Sequence, residues 1–350
     1  MGKIFFVTGS MSGGGAERVI SILANYYSSI GWDVSILMLL HSNVEYKLND
    51  SVNIVDLSKD KNGGAVHILK RMKNLRTFVQ NGSPDAVLSF MGPIVLLSGI
   101  ALCGIKVRHI TSERIDPSQA KRNCIFRMVL NSIYKSCYKC VLQTKRAWNY
   151  FPEKIRRNSV IIPNPITVEC EVSDERRKRI VTAGRLNPQK NHKMLIDAFY
   201  KVHKRHPEYI LDIYGKGKCE EELNAKIKSL GLEGSVFLKG ASSTIHKDIA
   251  DAEIFALSSD FEGLSNALLE AMMMGHACVS TNCAGSDEVI ADGENGLLVD
   301  VGNAKQMEEA LEKLISDEEL RIKIGNNAKE SAKAFYVDNV IGMWRKVIEG

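Results

Sequence analysis

Apolar and polar positions follow two rhythms along this chain, and the rhythms take turns. Residues 3–8, 34–40, 52–55, 86–89 and 107–111 are short apolar runs of strand length. Between them, residues 16–30 place Val19, Ile20, Leu23, Tyr26 and Tyr27 at helical spacing. Residues 68–79 do the same with Ile68, Leu69, Met72, Leu75 and Val79 turned inward. Continuous apolar strands alternating with amphipathic helices predict a parallel sheet covered on both faces. The pattern stops at Pro163-Asn164-Pro165 and then restarts. Residues 180–183, 210–214, 236–238 and 254–257 read as strands, and 192–204 as a helix. The last segment, 337–348, sets Val340, Ile341, Trp344, Val347 and Ile348 on one helical face.

The break is a linker. Two prolines around Asn164 disfavour both helix and central strand, and residues 169–179 are charged and poorly periodic. An α/β chain of two Rossmann-like halves is therefore expected, 1–165 and 166–335. A length of 350 residues suits two domains, and 45% hydrophobic residues suffice for two cores. The longest apolar run, 93–105, is shorter than the about 20 residues that span a bilayer. The amino terminus enters a strand pattern directly and is not expected to be a signal peptide. Eight scattered cysteines, with Cys137 and Cys140 in a lone C-x-x-C, read as free thiols of a cytosolic fold.

Charge changes the picture. The net charge is +5, but residues 1–165 carry 22 Lys and Arg against 10 Asp and Glu, and the remainder is acidic. Between Lys106 and Arg157 stand 13 basic and 3 acidic side chains. The first half should seek an anionic partner. Residues 121–135 mix cations with Ile, Phe, Met and Leu at helical spacing, as a helix lying on an anionic membrane does. The stretch lacks regularly interleaved aromatics, and no nucleic-acid module is visible, so nucleic acid is not the expected partner.

The chemistry concentrates in Ser258-Ser259-Asp260-Phe261-Glu262-Gly263-Leu264-Ser265-Asn266-Ala267-Leu268-Leu269-Glu270. Glu262 falls in a loop before a helix started by Ser265-Asn266, and Glu270 about a turn and a half along it. Two such carboxylates suit a hydroxyl-rich ligand, and the free N–H groups of the helix start suit an anion. Gly184 and Arg185 follow a strand, and Lys190 comes five residues later. Arg offers a fork and Lys a point charge to a phosphate. Gly13-Gly14-Gly15 precedes a helix but is not a G-x-G-x-x-G, which argues against a dinucleotide fold. There is no Asp-x-Asp pair to hold a metal on a diphosphate.

These segments resemble the retaining glycosyltransferases of family 4. Glu262 and Glu270 match the E-x7-E motif, and Gly13-Gly14-Gly15-Ala16-Glu17-Arg18 the amino-terminal glycine loop. Gly184-Arg185-Leu186 with Lys190-Asn191 matches the phosphate-binding segment. Ala284-Gly285-Ser286-Asp287-Glu288-Val289-Ile290 and Asp292-Gly293-Glu294-Asn295-Gly296 match the closing motif, with Ala284 where a glycine is common. The likeness implies the GT-B architecture: two Rossmann-like domains facing across a ligand cleft, with the last helix (about 336–350) crossing back to the first domain. The first domain would bind the acceptor and the second the nucleotide-diphospho-sugar.

The resemblance also implies roles. Arg185 and Lys190 would grip the diphosphate without a metal. Glu262, with Gly263, Leu264, Ser265 and Asn266, would hold the donor sugar, and Glu270 the ribose. Gly14 and Gly15 would pass close to the donor. Thr111-Ser112-Glu113-Arg114-Ile115-Asp116-Pro117 resembles a Ser-Glu-Arg-x-Asp-Pro pattern of relatives that build bacterial surface polysaccharides. Arg114 stands where the family often has histidine. It is expected to stabilise charge near a donor or acceptor phosphate, with Glu113 orienting the loop or acceptor. The implied reaction moves a hexose or N-acetylhexosamine, UDP-linked in the donor, to a saccharide acceptor carried on polyprenyl diphosphate, with retention. The expected setting is the cytoplasm, peripheral on the inner face of the membrane. Alternatives are a nucleotide-sugar epimerase of the same fold, a nucleic-acid-binding protein using the basic half, and an inactive sugar-nucleotide-binding scaffold.

Overall fold

A computed structural model describes residues 2–12, 14–58, 65–118, 120, 122–168, 170 and 175–350. The chain divides into two compact units. The first comprises Met1–Pro165 and Asp338–Gly350, the second Ile166–Val337.

The first unit is built on seven parallel strands: β1 (Lys3–Thr8), β2 (Asp33–Met38), β3 (Asn53–Asp56), β4 (Ala86–Phe90), β5 (Arg108–Ser112), β6 (Lys139–Leu142) and β7 (Ser159–Ile161). Their order is β3-β2-β1-β4-β5-β6-β7. The second unit has β8 (Arg177–Ala183), β9 (Ile210–Tyr214), β10 (Val236–Gly240), β11 (Ala252–Leu257), β12 (Ala277–Thr281) and β13 (Leu297–Val299). They run in the order β10-β9-β8-β11-β12-β13. Successive strand residues face opposite sides, so each sheet serves two cores. Ile180, Ile254 and Ala256 enter one core of the second unit, and Val181, Phe255 and Leu257 enter the other.

The carboxy-terminal helix Val337–Ile348 buries the predicted face: Val340, Ile341, Trp344, Val347 and Ile348. Its residues from Asp338 onward belong to the first unit, where the Trp344 ring lies 6.0 Å from Phe90. One inward assignment is corrected. In the helix Ala65–Gly82, Leu75 and Val79 are buried, but Ile68 and Leu69 are 38% and 65% exposed. Only the later turns of that helix meet the sheet core around Phe5 and Leu37. Among the described residues no helix is long and apolar enough to cross a membrane.

Candidate functional site

In the second unit the strand order reverses direction beside β8. The chain steps outward from β8 to β9 and β10, returns to place β11 on the other side of β8, and continues to β12 and β13. The helices that follow β8 and β11 pack on opposite faces of the sheet, and the carboxyl ends of the strands at such a reversal are where open α/β sheets bind ligands. Arg185 and Lys190 lie on the loop leaving β8, and Glu262 on the loop leaving β11, followed by Glu270 in the helix Asn266–Met273.

The two loops are sewn together. Asp260 N donates to the Gln189 carbonyl at 2.8 Å, and Gln189 Nε2 donates to the Phe261 carbonyl at 2.7 Å. Ser258 Oγ donates to the Lys190 carbonyl at 2.8 Å, and Asn191 Nδ2 to Asp260 Oδ1 at 2.8 Å. Asn191 adopts the left-handed conformation (φ 43°) that its short amide side chain tolerates, and also caps the helix His192–His203. Against this frame Lys190 Nζ lies 2.6 Å from Glu262 Oε1, with both side chains largely buried. The same oxygen accepts from Ser259 Oγ at 2.7 Å. Gly184 leaves room for the lysine: a Cβ there would stand 2.9 Å from Lys190 Cε. Burial, with Lys190 nearby, pushes His192 down to about 4, so this imidazole is neutral. Arg185 is exposed on the same loop.

Glu270 is buried, and His246, from the helix Ile245–Ile249, places Nε2 3.3 Å from its Oε2. Ser265 Oγ accepts from Leu268 N at 3.4 Å, so this hydroxyl acts as a helix cap. Leu264 is buried, while Gly263 and Asn266 are half-buried. The closing motif supports the same loop. Gly285 has φ +86°, and a Cβ on it would stand 1.9 Å from the Gly263 carbonyl oxygen. Gly285→Ala is therefore expected to cost about 2 kcal/mol in strain and to shift the Glu262 loop. Chemical denaturation of the variant checks this, and an unchanged midpoint would show that the loop yields freely.

In the first unit, Gly13 lies outside the described residues. Gly14 precedes the helix Gly15–Ser29 in an extended conformation. Its carbonyl accepts from Tyr46 Oη at 2.8 Å, and a Cβ would stand 2.2 Å from Glu17 Oε2. A carboxylate of the chain itself thus sits at this helix start, where an anion was expected.

Glu113 and Arg114 follow β5 but turn into the unit. Glu113 Oε2 lies 2.5 Å from Arg122 Nη2 and accepts from Tyr134 Oη at 2.8 Å, with its side chain fully buried. Arg114 is 7% exposed. Its guanidinium carbon stands 5.2 Å from the Trp344 ring centroid and 5.6 Å from that of Phe90. Its Nη1 donates to the Ile162 carbonyl and to Asn164 Oδ1, each at 3.2 Å. Burial pulls Arg114 down to about 9, against the upward pull of Glu113. In this conformation the pair braces the linker entry and the last helix and does not line an open surface.

The structure thus joins Lys190 to Glu262, sets Glu270 nearby in sequence on the following helix, and keeps Glu113 and Arg114 in the first unit's interior. Sequence reasoning missed Ser259 and His246 as partners of the two glutamates. Ser259 stands within the same motif, three residues before Glu262. His246 carries no local signal at all.

Comparison with known proteins follows these lines. Residues 168–331 match the family model described as glycosyl transferases group 1. The chain is 25% identical to an uncharacterized glycosyltransferase of Haemophilus influenzae, over 98% of this chain and 99% of the relative. It is 29% identical, over 96% of both chains, to the N-acetylgalactosamine-N,N'-diacetylbacillosaminyl-diphospho-undecaprenol 4-alpha-N-acetylgalactosaminyltransferase of Campylobacter jejuni. Among solved structures, Anabaena HepE in complex with UDP and glucose superposes with a TM-score of 0.87 over all of both chains, at 17% identity. The lipopolysaccharide outer core galactosyltransferase WaaB in its apo form gives 0.79 over 99% of both chains, at 20% identity. At these identities the structural likeness is one of fold.

Proposed function

We propose that this chain, a family-4-like glycosyltransferase of the GT-B type, moves a hexose or N-acetylhexosamine from a UDP-linked donor to a polyprenyl-diphosphate-linked saccharide in bacterial surface-polysaccharide synthesis. The observation that carries the reading is the Lys190–Glu262 contact at the strand-order reversal of the second unit. A cation and a carboxylate held side by side match the two ends of a sugar–diphosphate bond. The relatives' names support the substrate classes: one acts on a diphospho-undecaprenol-linked sugar, and HepE was solved with UDP and glucose.

Breaking that bond leaves negative charge on the departing diphosphate, and fixed cations stabilise it in the transition state. Lys190 and Arg185 supply them, so no metal is required. Glu262 and the N–H groups of Gly263 to Asn266 take the donor sugar, and Glu270, steadied by His246, takes the ribose hydroxyls. No side chain is assigned as a covalent nucleophile. The acceptor hydroxyl attacks the face the diphosphate leaves and gives its proton to that leaving group, which retains the anomeric configuration. The first unit takes the acceptor. Its basic helix Cys124–Ser136, with Ile125 and Met128 exposed, lies on the cytoplasmic face of an anionic bilayer.

Thermal-shift screening against sugar nucleotides tests the donor assignment, because a ligand bound only to the folded state raises the melting temperature. A UDP-sugar should raise it more than its GDP or ADP counterpart, with EDTA making no difference. A panel in which nothing shifts the transition rejects the reading. Liposome flotation that ignores anionic lipid removes the membrane part.

A further inference from the structure

Beside the basic helix of the first unit lies a cavity of about 100 Å³ lined by Ser118, Arg122, Arg127, Asn131, Tyr150 and Phe151, among others. That is roughly the volume of three waters, room for one phosphate-sized group. Five of these residues bring polar donors: two guanidinium groups, an amide, a phenol and the Ser118 hydroxyl, which already donates to Asp116. Arg122 is fixed from behind. Its Nη2 lies 2.5 Å from Glu113 Oε2, and Gly92 makes the space, since a Cβ there would stand 2.5 Å from the same nitrogen.

The local charge is not balanced from within. Between Lys106 and Arg157 there are only three carboxylates to 13 cations. Each already has a partner: Glu113 pairs with Arg122, Asp116 lies 3.9 Å from Arg146, and Glu153 pairs with Arg157. Arg127 makes no ion pair among the described residues, and it stands in the cavity wall. A guanidinium fork matches phosphate oxygens bidentately, and two guanidinium groups stand in this wall. On the same helix, Ile125 and Met128 are 68% and 67% exposed. The helix that contributes Arg127 to the cavity thus also carries uncovered apolar side chains.

We propose that this cavity receives a phosphate of a prenyl-diphosphate acceptor, with the isoprenoid running along Ile125 and Met128. The proposal rests on the glycosyl-transfer reading for the identity of the acceptor, while the anion site stands by itself. It assigns to Arg122 and Arg127 the acceptor-phosphate role that the sequence suggested for Arg114, which is buried between Phe90 and Trp344.

The test uses the full chain saturated with UDP, so that the donor site does not compete, and titrates inorganic pyrophosphate and farnesyl diphosphate by calorimetry. Both should bind, farnesyl diphosphate more tightly. Arg127→Ala should weaken both by about tenfold, the loss of one charge-assisted contact. Met128→Ser should weaken only the prenyl compound. In a transfer assay Arg127→Ala should raise KM for the lipid-linked acceptor and leave KM for the donor unmoved. Binding that ignores Arg127→Ala overturns the site. Equal affinities for the two probes overturn the lipid assignment and leave a site for free phosphate. If UDP itself does not bind while pyrophosphate binding still depends on Arg127, the donor reading fails and the cavity assignment survives.

Discussion

Lys190→Ala is expected to lower kcat by about 10²- to 10³-fold, the scale seen when one preorganised group facing developing transition-state charge is removed. Two effects combine. On the proposed reading, the leaving diphosphate loses the cation that the loop after β8 holds in place. Glu262, largely buried and bonded to Lys190 at 2.6 Å, is left with the Ser259 hydroxyl on that oxygen. An uncompensated buried carboxylate beside the diphosphate repels it, so the loss exceeds that of a single surface cation. The arrangement is also self-neutralising before donor arrives, and binding must share the lysine between carboxylate and diphosphate. Glu262→Gln should therefore weaken sugar recognition while leaving UDP affinity at least as high as that of the wild type, since the lysine is no longer shared. Single-turnover rates with a UDP-sugar, together with calorimetric UDP affinities, separate the two variants. A kcat for Lys190→Ala within threefold of the parent would remove Lys190 from the reaction.

Trp344→Ala should be the most destabilising single change outside the site, by about 3–5 kcal/mol, the usual range for truncating a buried Trp. The indole is fully buried in the first unit, near the end of the chain. It forms one wall of the Arg114 enclosure and packs on Phe90. Its removal opens a large cavity and admits water to a guanidinium whose Nε and Nη2 have no hydrogen-bond partner among the described residues. Chain units of this kind need not unfold together. The change should shift the transition of the first unit alone, with the second unit reporting through UDP-dependent stabilisation. Equal shifts of both transitions, or a loss under about 1 kcal/mol, would reject this account, since a truncated core residue costs more than that.

Periodicity revealed most of the architecture because most elements keep a single exposed face. The carboxy-terminal helix is the clearest case: the five residues placed on one face are the five that are buried. The helix Gly92–Ala101 was not anticipated, because apolar residues surround it and leave no polar side to mark its period. Strands β6, β7, β12 and β13 were passed over as well. Three to five residues of parallel strand carry little pattern of their own. Motif spacing singled out Lys190 and Glu262, but not their direct contact, which joins positions 72 residues apart. The fate of Glu113 and Arg114 was hidden for a related reason. Two charged neighbours after a strand read as site residues near a phosphate until Gly92, Tyr134 and Trp344 are brought around them from distant parts of the chain.

Because the first unit is completed by Asp338–Gly350, its folding runs against the direction of synthesis. On the ribosome every residue of the second unit is made before the indole that covers Arg114 exists. A nascent chain therefore carries an uncapped amino-terminal half for most of its translation, with the groove over Phe90 open. Premature termination between Val337 and Trp344 would release a finished carboxy-terminal unit attached to an unsealed partner, a species prone to chaperone capture.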